Sequence, residues 1–142
     1  MASNSISFQS DGFDFSLDKA ESVQNWLLAA IAGEGFEPGD VSYVFVGDAA
    51  LLKINQEYLN HDTYTDIITF DYTEDKTLSG EIYISIERVR DNALKFSENS
   101  ITELHRVMIH GILHLCGYTD KDADSKAEMT GREDYYLSLR TF

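Results

Sequence analysis

The stretch Val107 to Asp120, Val-Met-Ile-His-Gly-Ile-Leu-His-Leu-Cys-Gly-Tyr-Thr-Asp, constrains this chain more than any other. Its apolar periodicity runs on from Ile101 to Cys116, and on an α-helix His110 and His114 lie one turn apart on one face. Two imidazoles so placed can share a metal. Gly117 follows His114 by three residues and Asp120 follows by six. A straight helix cannot bring a third donor back, whereas glycine ends a helix cheaply in the left-handed conformation. The spacing H-x-x-x-H-x-x-G-x-x-D therefore predicts a helix over 101–116, a turn at Gly117 and Asp120 returned to the two histidines.

Two imidazoles and a carboxylate leave a fourth position open, which is the donor set of a catalytic zinc site. Structural sites close all four positions with protein ligands, mostly cysteine, and this chain has one cysteine, Cys116. The spacing is that of the metzincin pattern H-E-x-x-H-x-x-G-x-x-H with two differences. Gly111 stands where a metalloprotease carries its general-base glutamate, which disfavours a peptidase. Asp120 stands where the third histidine would be, which lowers the net charge of the site by one and makes a bound water less acidic. Zinc is the metal expected, and nickel, iron or another divalent ion also suits two nitrogens and one carboxylate.

The metal helix is apolar around most of its circumference, through Ile101, Leu104, Val107, Met108, Ile109, Ile112, Leu113 and Leu115, so it is expected at the centre of the fold. Glu103, Arg106, His110 and His114 form its polar stripe, and a buried helix carries such a stripe only for a use. His105, about 140° around the helix from His110, reads as packed or surface-exposed. Cys116 reads as a small core residue. Met129 is either a floor beneath the metal or ordinary core. Asp120 has a competing reading, because Thr119, Asp120 or Asp122 can each cap the helix that follows.

A chain of 142 residues, 43% hydrophobic and 25% charged, is expected to form one domain over 1–142 without disulfide help. Its apolar runs are too short for a membrane span, Met1 to Phe15 lacks the pattern of a signal peptide, and the lone cysteine suits the reducing cytoplasm. The net charge is −14, from 11 basic and 25 acidic residues. That sign opposes binding driven by phosphate contacts, so any RNA contact needs a local patch, a metal or a partner.

Alternation and capping signals predict strands at Ser5–Phe8, Val41–Val46, Ile67–Phe70 and Glu81–Ile86, with Val41–Val46 buried on both faces. Helices are predicted over Leu17–Ala32, Ala49–Leu59 with Asp48 as N-cap, Glu87 to Lys95 or Phe96, Ile101–Cys116 and Asp122–Leu139, the last with Met129, Tyr136 and Leu139 inward. Pro38-Gly39-Asp40 reads as a turn and Asp71–Ser79 as a hairpin loop. The order β-α-β-α-β-β-α-α-α predicts an α+β fold, a small four-stranded mixed sheet packed with about five helices.

With these segments in place, the chain resembles the YbeY family of bacterial rRNA maturation endoribonucleases. His-Gly-Ile-Leu-His-Leu-Cys-Gly-Tyr at 110–118, followed by Met129 and Glu133, carries the resemblance most strongly. Tyr58 to Phe70, with Asp62 and Thr65-Asp66-Ile-Ile-Thr-Phe, is similar to the family's central loop and strand, and Gly80-Glu81-Ile-Tyr-Ile-Ser to its hairpin strand. The resemblance implies a metzincin-like metal helix and a zinc-dependent, single-strand-specific endoribonuclease. Its metal ligands would be His110, His114 and Asp120. Its partners would be rRNA and ribosomal or assembly proteins, with no DNA and no membrane, and it would act as a cytoplasmic monomer.

Two positions depart from the family. Its third ligand is a histidine preceded by aspartate, where this chain has Thr119-Asp120, and Leu59 takes the place of an arginine implicated in function. Loss of that cation removes a partner for the scissile phosphate. It leaves open an alternative, a metal-stabilised ribosome-assembly factor with little nuclease activity. No catalytic acid or base is assigned. Asp66, Asp71 and Glu81 are possible bases, Asp66 also suits a turn cap, and His61 in the central loop can face the site.

Overall fold

The computed structural model describes residues 6–60 and 65–142. Ser5, His61 and Asp62 lie outside the described residues. Among those described, the chain forms β1 (Ile6–Ser10), α1 (Ala20–Gly33), β2 (Glu37–Val46), α2 (Asp48–Tyr58), β3 (Ile67–Asp71), β4 (Thr77–Ser85), α3 (Ile86–Lys95), α4 (Ser100–Leu115) and α5 (Ala123–Ser138). This is the element order the sequence predicts, in an α+β arrangement. The sheet runs β1-β2-β4-β3, with β1, β2 and β4 parallel and β3 antiparallel at the edge.

Alternation along β2 creates two apolar layers. Val41, Tyr43 and Phe45 face the larger core, shared with α1, α3, α4 and α5. Val44 and Val46 face Leu51 of α2 and Ile68 of β3. The strand is thus buried on both faces, as its β-branched run implies.

Helix α4 lies in the larger core, packed on α1, α3, α5, β3 and β4, with Met108, Ile109, Ile112 and Leu113 fully buried. The Asn99 side chain accepts from the amides of Ile101 and Thr102 and caps its start. Gly111 permits its close approach to the sheet: a Cβ there would lie 3.0–3.2 Å from Ile82 and Ile67 side-chain atoms. The position that carries a glutamate in metalloproteases is here pressed against the sheet, with little room for even a methyl group.

Five local expectations need correction. The hairpin loop is shorter than Asp71–Ser79, because β3 runs through Asp71 and β4 covers Thr77–Ser85, with Ile86 opening α3. Pro38-Gly39-Asp40 is not a turn but part of β2, where the register shifts between Pro38 and Val41. The proline sits near the strand's start and the extra residue forms a bulge, both tolerated in strands. Helix α1 begins at Ala20, after Lys19 in the left-handed conformation, rather than at Leu17. Gly47, not Asp48, is the N-cap of α2. The Asp48 carboxylate instead accepts from the Ser85 hydroxyl at 2.6 Å and pairs with Arg88 at 2.8 Å, while the Asp48 amide donates to Glu87. Finally, Leu139 is half exposed. The inward face of α5 is Met129, Glu133, Tyr136 and Leu137, at helical spacing, and Leu139 falls off it.

His105 is packed, not exposed. Its ring contacts Trp26 and Phe142, and its Nδ1 accepts from Arg140 Nη1 at 2.9 Å. Burial, followed by the Arg140 charge, pushes the imidazole down to about 4. The unfolded chain takes up this proton near pH 6.5, so between the two values it binds more protons than the folded chain, and stability falls as pH drops. Urea denaturation should show wild type losing about 3 kcal/mol more than His105→Gln between roughly pH 7 and pH 4. Parallel pH profiles for the two proteins would contradict a neutral buried His105.

Candidate metal centre

The helix end builds the site. Gly117 has φ 107°, and its amide bonds to the carbonyl of His114 while that of Tyr118 bonds to the carbonyl of Leu113, both at 3.0 Å. This is a Schellman closure, for which glycine at the left-handed position is the favoured residue. The chain then doubles back, and Asp120 faces the two histidines. Asp122, not Asp120, caps α5, in a reciprocal capping box with Ser125. Asp120 is therefore free of capping duty.

Both imidazoles are held through Nδ1. His110 Nδ1 donates to Glu133 Oε2 at 2.5 Å, and His114 Nδ1 donates to the Tyr118 carbonyl at 3.1 Å. Both partners only accept, which places the hydrogen on Nδ1 and leaves the Nε2 lone pairs for a ligand. Those Nε2 atoms lie 3.6 Å (His110) and 3.9 Å (His114) from Asp120 Oδ2. The three residues form a group able to hold a metal ion, with donor atoms all within 4.8 Å of one another. Donors at roughly 2.0–2.2 Å from one tetrahedral zinc are about 3.4 Å apart, so the set fits with small adjustment.

Burial lowers the His110 pKa, but the Glu133 hydrogen bond and charge, with Asp120 and Asp66, leave it raised overall. His114 is lowered, first by burial and then by the charge of His110. A cleft of about 370 Å³ opens beside them, lined by Asp66, Glu103, Arg106, Lys126 and Met129 among others. Burial raises Asp66 against the opposing charge of His110, and burial followed by the Asp66 charge raises Glu103. Met129 both belongs to the core and lines this cleft.

Of the possible bases, Asp66 alone lines the cleft. Asp71 accepts from the Thr73 amide and Glu81 from the Tyr72 hydroxyl, away from the histidines. Cys116 is half-buried with its thiol pushed up to about 12, mainly by burial, which leaves it unreactive. Sequence spacing did not disclose the roles of Glu133 and the Tyr118 carbonyl. Glu133 also receives Arg106 Nη1 at 3.0 Å, so the polar stripe of α4 ends on this buried carboxylate. The available signal was an acidic residue on the apolar face of α5, four positions after Met129.

A family model described as Endoribonuclease YbeY matches residues 5–140. The chain belongs to the YbeY family. The endoribonuclease YbeY of Flavobacterium johnsoniae is 50% identical over 127 residues, covering 89% of this chain and 91% of the relative. That of Christiangramia forsetii is 47% identical over 139 residues, covering 98% and 96%. The solution structure of TM1509 from Thermotoga maritima matches with a TM-score of 0.67 at 27% identity, over 94% of this chain and 87% of that one. Family membership and the fold thus agree.

Glu133→Gln keeps the size of the side chain but weakens the acceptor that orients His110. Isothermal titration should show divalent-metal affinity falling by about 10–100-fold. Wild-type affinity in a folded Glu133→Gln protein would contradict this role.

Proposed function

We propose that this protein is a metal-dependent endoribonuclease that cuts single-stranded RNA during rRNA maturation, with zinc held by His110, His114 and Asp120. The observation that carries the reading is the convergence of two Nε2 atoms and one Asp120 oxygen, with both Nδ1 atoms held by acceptors. Its RNA substrate is supported by the names of the YbeY relatives. A metal so bound supplies Lewis acidity toward a phosphate oxygen and makes a water more acidic than bulk.

The chain's own groups supply the rest. Glu133 and the Tyr118 carbonyl hold the rings in register, so the donors need little reorganisation. Asp66 and Glu103 line the same cleft, and their raised pKa values suit them to hold or accept a proton beside the reacting phosphate. Arg106 is committed to Glu133 and Asp134. Ribosomal and assembly proteins fit as partners of a cytoplasmic monomer, since an acidic surface suits basic partners.

One observation favours a second reading, an assembly factor with little nuclease activity. Leu59, 42% exposed, stands where the family's arginine is expected, and the net charge is −14. The assay uses metal-loaded protein, free of contaminating nuclease, with single-stranded RNA. Cleavage by wild type, reduced to the metal-free level in His114→Ala, is the expected result. Tight binding of a basic ribosomal protein without any cleavage would favour the second reading instead.

A further inference from the structure

Glu34 ends α1 and draws three residues from two other parts of the chain onto one carboxylate. Tyr118 donates its hydroxyl to Oε1 at 2.8 Å, while the Tyr136 hydroxyl and Arg132 Nη2 each donate to Oε2 at 2.5 Å. The Glu34 side chain is only 8% exposed. Gly33 leaves the space for this cluster, because a Cβ there would lie 3.0 Å from the Tyr136 hydroxyl oxygen. The Arg132 guanidinium also lies over the Tyr135 and Tyr136 rings. Burial works to raise the Glu34 pKa, but the hydrogen bonds from Arg132, Tyr136 and Tyr118 and the Arg132 charge bring it below its ordinary value. The carboxylate therefore stays ionised, and charge-assisted bonds of this kind are strong and geometrically exacting.

What this cluster grips is the loop that carries Asp120. Tyr118 follows the left-handed Gly117 and precedes Asp120 by two residues. Its carbonyl is the acceptor for His114 Nδ1, so one residue faces the histidine with its backbone and Glu34 with its side chain. Among the described residues from Gly117 to Lys121, Tyr118 is the one whose side chain makes a hydrogen bond.

We propose that Glu34 is a positioning residue for the metal centre: by holding the Tyr118 ring it fixes the Tyr118 carbonyl against His114 and sets where Asp120 falls. This rests on the reading that His110, His114 and Asp120 hold the metal. Neither Glu34 nor Tyr118 donates a ligand atom, and the effect passes through the loop. Outer partners of this type change metal affinity by about 10–100-fold when replaced.

The test titrates wild type, Tyr118→Phe and Glu34→Gln with Co²⁺, records the visible absorption of the bound ion, and measures the Tm of each metal-free protein. Tyr118→Phe removes only the hydroxyl and leaves the Glu34, Arg132 and Tyr136 contacts in place, so it is the deciding variant. Glu34→Gln asks the same of the carboxylate. The expected result is Co²⁺ binding weakened about tenfold or more, with an altered visible band, in a Tyr118→Phe protein whose metal-free Tm stays close to wild type. Wild-type affinity and spectrum in Tyr118→Phe would overturn the proposal, including where its Tm falls, since the cluster would then be a structural joint only. No Co²⁺ binding by wild type would overturn the metal reading itself and this inference with it, an outcome distinct from failure of the clamp alone.

Discussion

The site depends on one constraint: each of two imidazoles on a buried helix has Nδ1 committed to an acceptor. Glu133 and the Tyr118 carbonyl take those hydrogens, so both Nε2 lone pairs are available on the same side, facing Asp120. A metal site made by helical spacing alone would leave the rings free to rotate. Here α5 holds one ring and the helix's own C-terminal turn holds the other. The Gly117 turn thus closes the helix, supplies the carbonyl for His114 and returns the chain to bring Asp120 into place.

The surroundings explain which chemistry this helix can support. Gly111 meets Ile82 and Ile67 so closely that even a Cβ there would press on their side chains. The metzincin-like spacing is retained without the peptidase base. On the open side, acidic groups dominate. Asp66, Glu103, Asp120 and Glu133 line the cleft, and of its two basic side chains Arg106 is already engaged by Glu133 and Asp134. On the proposed reading, a metal ion and Lys126 would draw in a polyanionic substrate, because a chain of net charge −14 adds no general attraction.

The metal helix was legible because its signals are local. Apolar periodicity, the i, i+4 histidines and a glycine three residues later are all read within twenty positions of sequence. The same holds for the double-sided burial of β2, whereas Thr119, Asp120 and Asp122 were equal candidates to cap α5 until the fold chose Asp122. Features that depend on distant partners were not legible. Pro38-Gly39-Asp40 has turn composition, yet pairing with β4 draws it into a bulged strand. Asp48 looks like a cap, but Ser85 and Arg88 claim its carboxylate. Glu133 acts on His110 and Glu34 on Tyr118, each many residues away, and only the packing of α1 and α5 against α4 brings them there.

Everything proposed for the site requires that His110, His114 and Asp120 together hold a divalent ion. Elemental analysis of purified wild-type and Asp120→Ala protein, each before and after zinc is added and excess removed, decides it. About one ion per chain is expected in wild type, with little or none in Asp120→Ala. Metal-free wild type after zinc addition would contradict the site, and full occupancy in Asp120→Ala would contradict the role given to its carboxylate.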